Sequence, residues 1–319
     1  MKRREFLKTA ATLAVLGTAA KLAGAAGAGE TAGAAAAAEQ GGIPDLVAVR
    51  GGSPAAMFDR AIRELGGMER FVKKGQSVTI KPNIGWDQGP EMAANTNPEL
   101  VKRIVEACFA AGAARVRIFD TTCNFWKDCY QHSGIQQAAE KAGAEVVGGD
   151  SARDENYKKN YYAAVPVTRS KILPSIEQHK FVRECDVLIN VPVLKVHSGA
   201  ALTCCMKNLM GTVSKDCQRL FHRTGLQKCI AACASVRKPD LNIVDAYRVM
   251  TKRGPRGVDA SDVRQLGYLM AGTDMVALDT AGAKLLDVPL DRIGHIAEGE
   301  ALGLGTSDLT KLKIKRIKI

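Results

Sequence analysis

Apolar positions recur along the chain with two periods, and each change of period marks a change of element. Leu46–Arg50 is a short apolar run that predicts a strand. Pro54–Leu65 then repeats at the helical spacing, with Ala55, Phe58, Ile62 and Leu65 on one stripe. Ser77–Ile80 is β-branched and predicts a strand broken by Pro82. Asn97 is placed to cap a helix, with Pro98 at its first position and Gly112 just past its end. Val101, Ile104, Val105 and Cys108 form that helix's apolar face. Arg115–Phe119 predicts a strand ending at Asp120. Ile135, Ala138, Ala139 and Ala142 mark a helix closed by Gly143. Glu145–Val147, Asp186–Ile189, Leu241–Val244 and Gln265–Ala271 predict further strands, and a helix runs on to Leu286. Residues 151–180 are polar and predict an insertion or crossover. Lys311–Ile319 alternates Lys with Leu or Ile, as a terminal edge strand with a charged outer face does.

Strands alternating with helices predict an α/β fold: a mostly parallel sheet with helices on both faces. Such sheets bind ligands outside the carboxyl ends of their strands. The ligand cleft is therefore expected at that edge, among Lys81-Pro82-Asn83, Asp120-Thr121-Thr122, Lys195-Val196-His197, Asp245 and Thr273-Asp274. No glycine-rich dinucleotide fingerprint follows a strand. Gly303-Leu304-Gly305 has no βαβ unit behind it.

Residues 189–211, INVPVLKVHSGAALTCCMKNLMG, gather unusual chemistry behind an apolar run. Pro192 is expected to stop the strand before Lys195. Ser198 is expected to cap a helix from Gly199 to Met210, closed by Gly211. Leu202, Cys205, Met206 and Leu209 would face the core, with Cys204, Lys207 and Asn208 on the next face. Lys195 and His197 would flank a helix start, where free N–H groups favour an anion. Lys207 would lie about 13 Å along that helix. Both lysines then reach one small anion only if the helix is interrupted or Lys207 reaches back. Otherwise the ligand is extended or there are two sites.

Asp120, His197, His222 and Asp245 are the candidate acid–base groups, and spacing does not rank them. Arg219, His222 and Arg223 form one basic helical face, read as either a site wall or a solvated surface. Cys229 and Cys233 share a stripe with Leu226 and Ile230, which reads as packing or as a pair of metal ligands. Cys123 and Cys129 flank Trp126 at a spacing that fits no standard zinc or ferredoxin motif.

Charge and the amino-terminal stretch change the picture. The 319 residues carry a net charge of +12. Lys2-Arg3-Arg4-Glu5-Phe6, followed by a soft Ala-rich apolar run, matches a twin-arginine export signal over residues 1–29. Residues 30–42 read as a flexible Ala/Gly linker, leaving 43–319 as a single α/β domain. Residues 1–41 hold five Lys/Arg and three Asp/Glu, so the remainder carries +10. That charge suits a small anionic ligand or cofactor. Few aromatic residues and the export signal argue against nucleic acid. The expected location is the periplasm or the outer face of the cytoplasmic membrane, reached through the twin-arginine machinery. Nine cysteines, an odd count, are expected to be mainly unpaired.

Several ordered motifs resemble the domain-of-unknown-function 362 family (DUF362). They are IKPNIG (80–85), NPELVKRIVEACFAAGA (97–113), INVPVLKVH (189–197), MKNLMGTVSK (206–215), LNIVDA (241–246), GPRG (254–257), AGTDMVALD (271–279) and GLG (303–305). The resemblance covers about residues 46–306 and places the family's recurrent polar positions on Lys81, Asn83, Asp120, Lys195, His197, Lys207, Asn208, His222, Asp245, Asp274 and Asp279. It implies a link to anaerobic redox metabolism, since family members are often exported or fused to iron–sulfur ferredoxin modules. This chain carries no such module.

The leading expectation is an exported protein with a basic anion- or cofactor-binding cleft lined by Lys81, Asn83, Lys195, His197, Lys207, Asn208 and His222. One alternative is an iron–sulfur or metal-dependent redox enzyme using Cys204, Cys217, Cys229 and Cys233. Another is a non-catalytic binding or maturation partner of a redox complex, meeting a redox partner protein.

Overall fold

The computed structural model describes residues 42–149 and 160–319. The expected export signal at residues 1–29 and nearly all of the expected linker at 30–42 lie outside the described residues. The chain runs β1 (Leu46–Arg50), α1 (Pro54–Glu64), β2 (Ser77–Pro82), α2 (Pro98–Ala110), β3 (Arg115–Ile118), α3 (Trp126–His132), α4 (Ile135–Lys141) and β4 (Glu145–Val146). It continues through β5 (Tyr162–Pro166), β6 (Ser175–His179), α5 (Lys180–Glu184), β7 (Val187–Val191), β8 (Val193–His197), β9 (Ala201–Thr203) and α6 (Cys205–Asn208). Then come α7 (Lys215–Thr224), α8 (Leu226–Val236), β10 (Leu241–Met250), β11 (Val263–Gly272), α9 (Met275–Leu285), α10 (Gly294–Ala301) and β12 (Ile314–Lys318).

A ten-stranded mixed sheet has the order β12-β1-β11-β10-β7-β2-β3-β4, with β8 beside β10 and β9 beside β8. Most of its pairings are parallel, including β7–β2, β2–β3, β3–β4, β7–β10 and β1–β12. Alternate residues of one strand feed two cores. Leu46 and Ala48 of β1 face the layer of α6, α8, α9 and α10, while Val47 and Val49 face α1, α2 and α4. Burying each such aliphatic side chain contributes about 1.5–3 kcal/mol. The two faces together make this an α/β protein with helices on both sides.

Local chemistry sets the helix ends as expected. The Asn97 side chain accepts from the Glu99 N–H, and Pro98 opens α2. Ser53 does the same for α1 through the Ala56 N–H. β12 takes the sheet edge beside β1.

Three expectations change. β11 runs antiparallel to both β1 and β10, so Thr273-Asp274 leaves the opposite edge from the other selected loops. Asp274 caps α9 through the Ala277 N–H and also accepts from the Thr306 N–H. β7 ends before Pro192, but strand structure resumes at Val193 as β8 and carries Lys195, so Pro192 interrupts the strand without stopping it short of Lys195. It marks a change of partner, with β7 lying between β10 and β2 before it and β8 beside β10 and β9 after it. The expected helix Gly199–Met210 is mostly absent: β8 turns back as β9, and only Cys205–Asn208 are α-helical before a 3₁₀ turn at Leu209–Thr212. Within residues 160–180, β5 and β6 form a separate two-stranded sheet. Among the described residues, no helix is long and apolar enough to cross a membrane.

Candidate functional site

Parallel β2, β3 and β7 end at one edge of the sheet, and the β8–β9 hairpin rises beside them. The space between is an open cleft of about 310 Å³. It is lined by Asn83 after β2, Asp120 and Cys123 after β3, Lys195 and His197 on β8, Thr203 on β9, Lys207 and Asn208 on α6, and His222 on α7. The hairpin interrupts the expected helix and brings Lys195 and Lys207 to one space. Lys195 pairs in register with Thr203 across the hairpin.

Lys81 does not line this cleft. It is fully buried behind it, 2.8 Å from Asp120 Oδ1. The Lys81 Nζ also donates to the Pro82 carbonyl at 2.6 Å, and Asp120 Oδ2 accepts from the Ile84 N–H at 2.6 Å. Burial pushes the Asp120 carboxyl up and the Lys81 amine down, and each is opposed by the other's charge. Gly211 closes over the pair. A Cβ there would overlap Asp120 Oδ1 and come within 2.7 Å of the Lys81 Cε, so no larger residue fits. The Gly211 carbonyl accepts from the Thr121 N–H at 3.0 Å, tying the turn to the end of β3.

Lys195 is 1% exposed and donates to the Ala94 carbonyl. Burial lowers its pKa to about 7, with the charge of Lys207 adding to the effect. It belongs to a strand and is core-buried, unlike the loop residue expected from the sequence. Lys207 is partly buried, and burial likewise lowers its pKa. It has no hydrogen-bond or ion-pair partner among the described residues. Thr203, 3% exposed, lines the cleft, and its buried Oγ1 has no partner among the described residues. Sequence reasoning missed Thr203, because an orphaned hydroxyl is a property of the surroundings.

The His197 Nδ1 accepts from the Gly199 and Ala200 N–H groups, each at 3.0 Å, which leaves Nε2–H as the ring's donor. Burial holds its pKa far down, to about 2, reinforced by Lys207. His222 is exposed at the mouth, its pKa lowered by burial and then by Lys207 and Lys215. Arg219 and Arg223, on the same helix, are exposed and do not line the cleft.

Asn208 serves both cleft and frame. Its Nδ2 donates to the Lys81 carbonyl at 3.1 Å and to Asn190 Oδ1 at 2.8 Å, and Asn190 donates on to Asn242 Oδ1 at 2.9 Å. Asp245 lies outside the cleft, within β10. It accepts from the Asn97 and Tyr247 N–H groups, and burial raises its pKa to about 6. It ties α2 to the sheet and does not face a ligand.

None of the nine cysteines forms a disulfide. Among the described residues, the Cys204, Cys205 and Asp279 ligand atoms lie within 4.8 Å of one another, and all three residues are buried. Cys217, Cys229 and Cys233 do not join that group. Cys217, Cys229 and Cys233 pack into the core formed with α7 and α8, and no three of the four expected sulfurs approach closely enough to share one ion. Asp279 already accepts from the Cys205 and Met206 N–H groups at 2.5 and 3.1 Å, which caps α6.

A basic cleft lies at the carboxyl edge of the mostly parallel sheet of this α/β protein. Residues 78–284 match the family described as a domain of unknown function, DUF362, and the chain belongs to that family. A relative, the thylakoid-associated protein sll1697 of Synechocystis sp. (strain ATCC 27184 / PCC 6803 / Kazusa), is 27% identical over 262 residues, spanning 79% of this chain and 76% of that protein. Two solved structures are similar in outline. One is a Thermotoga maritima protein from a structural genomics consortium, with TM-score 0.45 and 10% identity over 75% of this chain and 60% of that one. The other is the lactate racemase apoprotein of Thermoanaerobacterium thermosaccharolyticum, with TM-score 0.44 and 13% identity over 77% and 57%. The chain spans less than two thirds of either.

Proposed function

We propose that this protein binds a small phosphate- or carboxylate-bearing anion in the cleft, outside the cytoplasm after twin-arginine export. One observation carries the reading. Among the described residues, no carboxylate is paired with Lys195 or Lys207, which face a shared cleft, and the Thr203 hydroxyl beside them has no partner. Asp120, the carboxylate on the wall, is already paired with Lys81. An anion would supply the missing acceptors. The Lys195 and Lys207 ammoniums would hold its charge, and Thr203 Oγ1 and the His197 Nε2–H would fix its orientation.

Calorimetric titration with inorganic phosphate tests this. A charge-assisted contact is worth about 1.5–3 kcal/mol, so Lys207→Gln is expected to weaken binding at least about tenfold. Its melting temperature should hardly move, because Lys207 has no partner to lose. Equal affinity in both proteins would sink the proposal. Export is tested by replacing Arg3 and Arg4 with lysine, which is expected to leave precursor in the cytoplasm. Normal export of that variant removes the localisation.

The redox reading rests on a different observation, the buried Cys204–Cys205–Asp279 group. Protein reconstituted anaerobically with iron and sulfide is expected to lack sulfur-to-iron charge-transfer absorbance. Such absorbance in the native protein, lost in Cys204→Ala, would favour the redox enzyme.

A further inference from the structure

Cys123 is the exposed cysteine of the nine, and it stands inside the cleft. Seven others are buried, and Cys185 is only partly exposed. Its position is fixed by the backbone, since the Cys123 N–H donates to the Gly85 carbonyl at 2.7 Å. The loop it occupies is anchored on both sides of the thiol. The Thr122 hydroxyl donates to the Asn124 carbonyl at 2.7 Å, and Lys215 Nζ donates to the Thr122 carbonyl at 2.6 Å.

The surroundings suit a nucleophile. Lys195 and Lys207 line the same cleft as the Cys123 thiol, and no carboxylate is paired with either lysine among the described residues. Reactive cysteines stand in electropositive surroundings that solvent can reach. An independent feature points to a ligand in the same space: Thr203 is 3% exposed, lines the cleft, and has an Oγ1 with no partner among the described residues. A thiol, two cations and an unused hydroxyl therefore line one cleft.

We propose that Cys123 is the nucleophile of this cleft, reacting with small electrophiles whose anionic group is held by Lys195, Lys207 and Thr203. This rests on the anion-binding reading above. The ligand class is a small carboxylate or phosphate ester with an electrophilic carbon near its anionic end. Iodoacetate is the simplest member. The Cys123 thiol gives its proton to solvent water, and the sulfur attacks the methylene carbon. The S–C bond forms as the C–I bond breaks, and iodide leaves with the bonding pair. No oxidant or reductant is needed.

The test compares labelling of Cys123 in the whole folded chain by iodoacetate and by neutral iodoacetamide, under nitrogen, with rates read by peptide mass spectrometry. The ratio of the iodoacetate rate to the iodoacetamide rate is expected to fall about tenfold in Lys207→Gln, the size of one lost charge-assisted contact. Lys207→Arg should restore much of it, and inorganic phosphate should slow iodoacetate at Cys123 in the unaltered protein. Unfolded chain gives the reference ratio. A folded-state ratio equal to that reference, in protein that still binds phosphate by calorimetry, overturns the nucleophile and leaves the anion site standing. Absence of both phosphate binding and phosphate protection overturns the two together.

Discussion

Three lysines approach the same edge of the sheet, and they meet opposite fates. Lys81 is sealed behind the cleft with Asp120 at 2.8 Å, under a glycine that leaves room for nothing else. Lys195 and Lys207 face the cleft, with a backbone carbonyl for one and no acceptor for the other among the described residues. The residue type is the same, but the work is not. A buried lysine with a carboxylate and a closed roof holds the frame, whereas lysines left without a counter-ion beside an open space are set aside for something that arrives.

The comparison breaks first at the frame. Asp120→Asn leaves the Lys81 ammonium buried without its counter-charge, and removing one partner of a buried pair costs about 3–5 kcal/mol. Chemical denaturation should show that loss. A loss below about 1 kcal/mol, the range of exposed pairs, would mean the Lys81–Asp120 contact is no structural tie. Gly211→Ala should cost less, about 1–3 kcal/mol, because the added methyl overlaps Asp120 and displaces the pair. An unchanged denaturation midpoint would show that the turn at 209–212 can move aside.

The smallest effect concerns the open lysines and sharpens the contrast. Lys195 has its pKa lowered by burial to about 7. Above that pH the free protein holds a neutral amine, and binding an anion must take up a proton. Phosphate affinity corrected for its own ionisation should therefore fall about fivefold from pH 7 to 8 and flatten well below 7. His197, held near 2, and His222, also lowered, stay neutral across that range and cannot supply the change. The same shift acts on stability. The unfolded chain holds the Lys195 proton between about 7 and 10.5 and the folded chain does not, so the penalty of burying this lysine fades as pH rises through that window. A pH-independent affinity would move the anion away from Lys195.

Much of the fold was legible because its signals are local. Asn97, Pro98 and Gly112 mark a helix through hydrogen bonds within a few residues. β1, β3 and β7 were legible as short apolar runs between breakers. Direction was not: nothing in the apolar run of Val263–Gly272 says which way it lies, and only pairing with β1 and β10 reverses it. That reversal removed Thr273-Asp274 from the cleft edge. The stripe Leu202, Cys205, Met206, Leu209 has the spacing of one helix face, and all four positions are buried. A hairpin followed by a single helical turn buries the same set. Of the site, Lys195, His197, Lys207, Asn208, Asn83 and His222 stand together around the cleft, since charged groups next to strand ends are visible in sequence. Thr203 and the Asn190–Asn208–Asn242 chain were not visible, because their meaning depends on partners far along the chain.

The Lys81–Asp120–Gly211 contact also carries a consequence for the order of assembly. Its members come from β2, from the residue pair after β3, and from the turn that follows the β8–β9 hairpin. Until that turn docks, both charges keep their water and nothing is lost by leaving them apart. Once it docks, water is expelled and separation becomes expensive. The roof therefore acts as a late latch, rewarding only a sheet whose middle strands are already side by side. Opening it should expose the Ile84 and Thr121 amides at one common hydrogen-exchange rate, since one donates to Asp120 and the other to Gly211; widely different rates would mean the latch comes apart in pieces.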